Sequence, residues 1–210
     1  MTGELVGVQR GSRDNGGDRA DSSLFSSAFS DLGVDMSMLV PWIARARGVD
    51  AAPLESARGV ELMQSLWSRD KYMGRLHVDA IGQLEAFFDF AAVPAGRTII
   101  RQDEYSNFMT VLLSGSIAVD RLQPWGELMR MAEALPGDIL GEMSLLDSGM
   151  RFASCMTLSE CEIGVLSAEA LDALMASDAE LAASLIALLA RKLSLRLRIV
   201  GARVSDRQHP

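Results

Sequence analysis

The eighteen residues GDILGEMSLLDSGMRFAS, Gly137 to Ser154, decide how this chain is read. Gly137 permits a tight turn, Gly141 is a second position without a side chain, and Glu142 to Leu146 suits one short helical turn. Such a turn leaves backbone N–H groups free at its start, and N–H groups aimed into a hollow attract anions. Arg151, nine residues beyond Glu142, adds a planar guanidinium that matches two oxygens of a phosphate. Each charge-assisted bond of that kind contributes about 1.5–3 kcal/mol. Glu142 suits the opposite partner, a sugar hydroxyl that donates to a carboxylate. A nucleoside cyclic monophosphate carries both groups in one compact molecule. Without that chemistry, the same residues are a loop and a helical turn packed on a barrel.

The flanks of the stretch have the grammar of a sheet. Phe90–Gly96, Arg97–Gln102, Asn107–Gly115, Ser116–Leu122 and Leu128–Gly137 precede it or run into it, and Ala153–Leu158 and Cys161–Leu166 follow. These short β-rich runs are punctuated by Pro94-Ala95-Gly96, Ser114-Gly115 and Pro136-Gly137, a spacing that predicts a β-sandwich or barrel. Asp103-Glu104 and Trp125-Gly126-Glu127 are expected to be solvated turn residues. Helical periodicity lies outside this block. Residues 35–47 suggest a short packing helix or arm with Trp42 as filler, and Pro53–Arg69 and Val78–Phe90 repeat apolar residues at three- and four-residue steps. Ser167 and Ser177-Asp178 cap two further helices, the second a long one from about Ala179 to Val200 with a wide apolar stripe. The last part of it, LSLRLRIV, also alternates with period two, which leaves an extended end open.

Two segments together carry a resemblance. Gly141-Glu142-Met143-Ser144-Leu145 and Met150-Arg151-Phe152-Ala153 resemble the phosphate-binding cassette of the cyclic nucleotide-binding domain family, whose pattern is G-E-x-[AS]-L followed by P-R-[AST]-A. The resemblance runs from roughly Leu84 to Val200. It implies an α+β fold: an eight-stranded antiparallel β-roll, jelly-roll-like, flanked by N-terminal helices and a long C-terminal helix. The chain then divides into a disordered tail (1–33), an N-terminal helical segment (34–83), the nucleotide-binding domain with its lid or dimer helix (84–200) and a tail (201–210). Carried over, the resemblance implies that Gly141 and Glu142 meet the ribose hydroxyl and Arg151 the cyclic phosphate. The backbone N–H groups of Phe152 and Ala153 complete the cradle, Ser144 lines it, and Met143 belongs to the same ligand-binding set. Two positions depart from the pattern: Met150 stands where proline is usual, and Phe152 where a small or hydroxyl residue is usual. Phe152 has no hydroxyl to meet a guanine base, so cyclic AMP is favoured over cyclic GMP. Its ring could stack on a purine or fill the pocket.

Composition narrows the alternatives. The chain has 210 residues, 49% of them hydrophobic, and a formal net charge of -8 that argues against a general nucleic-acid surface. Neither a signal peptide nor a membrane span is expected, since the longest apolar run, Leu181–Ala190, has only ten residues. The cytoplasm is the expected location, with Cys155 and Cys161 as buried small hydrophobes. Two histidines exclude a multi-histidine metal centre, and no Walker A or G-x-S-x-G element is present. The twelve methionines read as core packing, with Met129 and Met131 on one strand face, and the basic residues from Arg191 to Arg207 as a complement to the helix dipole.

The leading expectation is therefore a non-catalytic module that needs no cofactor. It binds a cyclic mononucleotide and signals through its C-terminal helix to an unidentified effector protein or to a second copy in a homodimer. A degenerate fold that acts as a protein-interaction scaffold is the alternative. A catabolite activator-type transcription regulator is disfavoured, because only GARVSDRQHP follows Val200 and no direct DNA binding is expected from ten residues. A cupin-type enzyme is disfavoured because no strand candidate contains histidine.

Overall fold

The computed structural model describes residues 23–70 and 82–207. The β-rich runs become Asp89–Val93 (β2), Thr98–Ile100 (β3), Phe108–Ser114 (β4), Ile117–Leu122 (β5), Leu128–Ala134 (β6), Ile139–Leu140 (β7), Ser154–Thr157 (β8) and Cys161–Ser167 (β9). These are the eight strands of the expected roll. A two-residue strand, Ala52–Pro53 (β1), lies beside β2. All pairings are antiparallel. They give two sheets, in the orders β1-β2-β9-β4-β7 and β3-β8-β5-β6.

The helices are Leu24–Asp31 (α1), Trp42–Gly48 (α2), Ser56–Trp67 (α3), Glu142–Asp147 (α4), Ala168–Ser177 (α5) and Ala179–Arg207 (α6). Strand β4 shows how they and the sheets share one molecule. Phe108 and Leu112 point between the two sheets with Val93, Ile99, Ile117 and Ile163. Met109, Val111 and Leu113 point the other way, onto Trp67, Leu84, Leu171 and Leu185. With both faces dry, β4 reads as an apolar run broken at Thr110 instead of an alternating one. No helix among the described residues is long and apolar enough to cross a membrane.

Several expectations need correction. The segment read as unstructured through residue 33 is helical over Leu24–Asp31, with Phe25 and Phe29 buried. Its own Ser23 provides no side-chain cap. Instead Asp172 of α5 accepts from the backbone N–H of Phe25 at 2.9 Å and of Ser26 at 2.8 Å. That carboxylate satisfies two orphan donors and complements the helix dipole. A cap supplied from about 147 residues away leaves no local trace in the sequence.

The helix predicted from Pro53 starts at Ser56. The N–H of Leu54 donates to the carbonyl of Phe90 at 3.0 Å, which holds residues 52–54 extended along β2. Gly59 on α3 then lets the Phe90 ring sit where a Cβ would otherwise be. The helix predicted over Val78–Phe90 falls partly outside the described residues. Its described end is a 3-10 turn, Leu84–Phe87, because Asp89 and Phe90 pair with Val165 and Gly164 of β9. At the other terminus α6 runs on to Arg207. The period-two alternation there is not extended chain, and most of the expected tail is helix.

Candidate functional site

The sharp turn that opens the quoted stretch is built on Gly141, whose φ of +78° lies in the left-handed region. Glycine is required there for a second reason: a Cβ would collide with Nη1 of Arg151. Immediately after it, α4 begins with Glu142. Across the turn, Arg151 lies against β4 with 1% of its surface exposed.

The Arg151 guanidinium is held entirely by neutral acceptors. Nε donates to Ser106 Oγ at 2.6 Å, Nη1 donates to the carbonyl of Gly141 at 2.6 Å, and Nη2 donates to the carbonyl of Phe108. The group also lies 4.8 Å from the centroid of the Phe108 ring. Among the described residues Arg151 makes no ion pair. Burial pulls its pKa down to about 10, against the opposing pull of the nearby Cys155, Glu142 and Glu104. A buried cation without a counterion is unfavourable until an anion arrives.

Glu142 is 5% exposed, and its carboxylate pairs with Nη1 of Arg196 from α6. Arg196 also donates from Nη2 to the carbonyl of Ile139 at 2.8 Å. Burial raises the carboxyl of Glu142 above its ordinary value, and Arg196 is the strongest influence opposing that. Cys155 faces the same space, and burial pushes its thiol up to about 12, too high for a nucleophile at neutral pH.

These groups enclose a cavity of about 150 Å³ lined by Gly141, Glu142, Ser144, Arg151, Phe152 and Arg196, among others. A second hollow of about 310 Å³ lies beside it and shares Val119, Leu140 and Arg196. Pockets for compact organic ligands measure roughly 300–1,000 Å³. With Arg196 in place the first cavity is therefore too small for a nucleotide.

The structure brings together every residue singled out in the sequence. Gly141, Glu142, Met143, Ser144, Arg151, Phe152 and Ala153 all line the cavity. Ser144 is buried, whereas Met143 is 44% exposed at the rim. Phe152 does not fill the pocket. It is 49% exposed, with the Arg121 guanidinium 3.9 Å from its ring centroid and bonded to its carbonyl.

Sequence reasoning missed three contributors. Ser106 receives Arg151 from the loop before β4. Arg196 belongs to the basic cluster expected to complement the helix dipole, yet it pairs with Glu142, and its neighbour Lys192 pairs with Asp70 at 2.8 Å. Glu104 was read as a solvated turn residue, yet its side chain is only 20% exposed and pairs with Arg45. A weak signal existed for Arg196 alone, since a cation within a wide apolar stripe calls for a buried anion.

Comparison with known proteins follows the same outline. A family model, described as the cyclic nucleotide-binding domain, matches residues 91–178. The chain is 33% identical over 108 residues to the cyclic AMP receptor protein of Thermus thermophilus, covering 51% of this chain and 50% of that one. It is 29% identical over 100 residues to a CRP-like cAMP-activated global transcriptional regulator of Mycobacterium tuberculosis, covering 48% and 45%. The chain thus spans about half the length of these relatives. Among solved structures, a cyclic nucleotide-binding domain from Methylobacillus flagellatus superposes with a TM-score of 0.69 at 23% identity, covering 75% of this chain and 89% of that one. The catabolite activator protein of Thermus thermophilus superposes with a TM-score of 0.52 at 30% identity, covering 60% and 61%.

Proposed function

We propose, from the match of residues 91–178 to the family model of the cyclic nucleotide-binding domain, that the chain is a regulatory module that binds a cyclic mononucleotide and transmits its presence through α6. The observation that carries this reading is Arg151: a guanidinium 1% exposed, fixed by three neutral acceptors, with its charge left uncompensated inside a cavity. A cyclic phosphate supplies the missing anion. The backbone N–H groups of Phe152 and Ala153 would share it, Gly141 and Glu142 would meet the ribose hydroxyl, and Ser144 and Met143 would line the rest.

Phe152 bears on the choice of base. Its half-exposed ring, backed by Arg121, forms a platform on which a purine can stack, and it offers no hydroxyl to guanine. Cyclic AMP is the proposed ligand, ahead of cyclic GMP. The reaction class is binding without catalysis, and we place it in the cytoplasm, consistent with two cysteines that are free and buried.

The signal would be mechanical. Arg196 holds the carboxylate that the ribose needs, so nucleotide and Arg196 compete for Glu142. A ligand shifts that balance only by binding the open arrangement better. Displaced from Glu142, α6 would carry the change to a second copy or to an effector protein. Leu197, 73% exposed on α6, suits a homodimer seam.

The same closed pocket favours a second reading, in which the fold holds no nucleotide and serves as a scaffold. Titration calorimetry with cyclic AMP and cyclic GMP separates the two. The regulatory reading expects binding of cyclic AMP that Arg151→Ala abolishes, and absence of binding by the unaltered protein would leave the scaffold.

A further inference from the structure

Two carboxylates lie near Arg151, and each is already matched to another arginine. Arg196 holds Glu142, as described above. The second carboxylate, Glu104, is held by Arg45 of α2, which lies outside the 91–178 domain. We propose that Arg45 is a positioning residue for the anion site: by holding the carboxylate of Glu104, it keeps that group from pairing with Arg151 and so leaves Arg151 free for a ligand anion. The functional meaning rests on the proposed nucleotide-binding reading.

The backbone places Glu104 within reach. Arg151 N–H donates to the carbonyl of Glu104 at 2.9 Å, and the N–H of Asp103 donates to the carbonyl of Arg151 at 2.9 Å. Residues 103 and 104 are thus laddered to the residue that must stay unpaired, and Ser106 of the same loop takes its Nε–H. In a site this dry, a carboxylate released beside a buried guanidinium would close on it, because attraction between opposite charges strengthens as water is excluded. The same loop is also pinned from the N-terminal side, where Val40 N–H donates to the carbonyl of Tyr105 at 2.9 Å.

Arg45 is poorly explained as filler. It is 8% exposed, and its Nε is buried without an acceptor. A side chain that leaves a donor unsatisfied is retained at a cost, which a packing role could avoid with an apolar residue of similar size. Its contact with Glu104 is what an apolar residue could not replace.

The test reads the charge state around Arg151 with and without nucleotide. In ligand-free protein with ¹⁵N-labelled arginine, the Nε–H resonance of Arg151 is identified by its loss in Arg151→Lys. Arg45→Met should displace that resonance and weaken cyclic AMP binding by about tenfold, as expected when an internal carboxylate competes with the ligand. Arg45→Met combined with Glu104→Gln should return both readings to those of the unaltered protein, since no carboxylate remains to compete. Should Arg45→Met fail to fold, Arg45→Gln retains a polar side chain of intermediate length and removes the charge. The proposal is overturned if the resonance is unmoved by loss of Arg45, or if it is displaced equally when Glu104 is also neutral, which would mark a structural role. If the unaltered protein binds no cyclic nucleotide while the resonance moves and returns as stated, the nucleotide reading fails and the positioning role stands.

Discussion

Arg196 and Glu142 are fifty-four positions apart in the chain, and their ion pair fastens the middle of the 29-residue helix α6 to the first residue of the six-residue helix α4. The bond fills the site from within. Arg196→Ala should therefore raise cyclic AMP affinity about fivefold, the gain expected when a closed arrangement worth about 1 kcal/mol is removed. Calorimetry reads the affinity, and faster amide exchange over α6 without ligand reads the release. Weaker binding would make Arg196 part of the ligand's own shell.

Arg151→Ala should lower cyclic mononucleotide affinity by about 100-fold or more, the scale of removing one member of a buried charge pair. The melting temperature should change little. Three hydrogen bonds are lost, but so is the penalty of a buried cation. For the unaltered protein, affinity should be flat through neutral pH and weaken only in strong alkali, since burial lowers the Arg151 pKa but leaves the group charged throughout the neutral range.

Glu142 has the opposite pH signature. Burial raises its folded-state pKa above that of the unfolded chain, so the group favours the folded state most at pH below the unfolded value, and that benefit is lost as pH rises through the folded one. Glu142→Gln removes the titration. Thermal melts should find it equal to or about 1 kcal/mol more stable than the unaltered protein at pH 7, with the difference vanishing near pH 4.

If α6 is a dimer seam, Leu197→Glu should convert the protein to monomers in light scattering without changing its far-ultraviolet circular dichroism. Leu197 is 73% exposed within one chain, so the substitution leaves the core untouched. An unchanged mass would place any interface elsewhere.

Asp172→Ala should free α1. Two capping bonds are lost, for a destabilisation of about 1–2 kcal/mol in urea titration. Hydrogen exchange should locate the loss in residues 24–31 and leave the β-roll protected.

The roll was legible because its β-rich runs are short and its turns fall on glycine and proline, and because Gly141, Glu142 and Arg151 sit in one short segment. What escaped notice was supplied from a distance. Helix α1 depends on Asp172, Glu142 is matched by Arg196, and Glu104 is matched by Arg45, and none of these partners is near in the chain. Position 90 shows the limit from the other side: its helical spacing is genuine, but pairing with Gly164 draws it into the sheet.

Gly141 has a bearing on how variants of this protein are screened. A methyl group there would strike Arg151 and strain a left-handed turn, at a cost of about 1 kcal/mol, which most folds survive. A survey that scores only expression or heat resistance would pass such a variant as sound. Its damage would be confined to the shape of the cavity, and only a binding assay would find it.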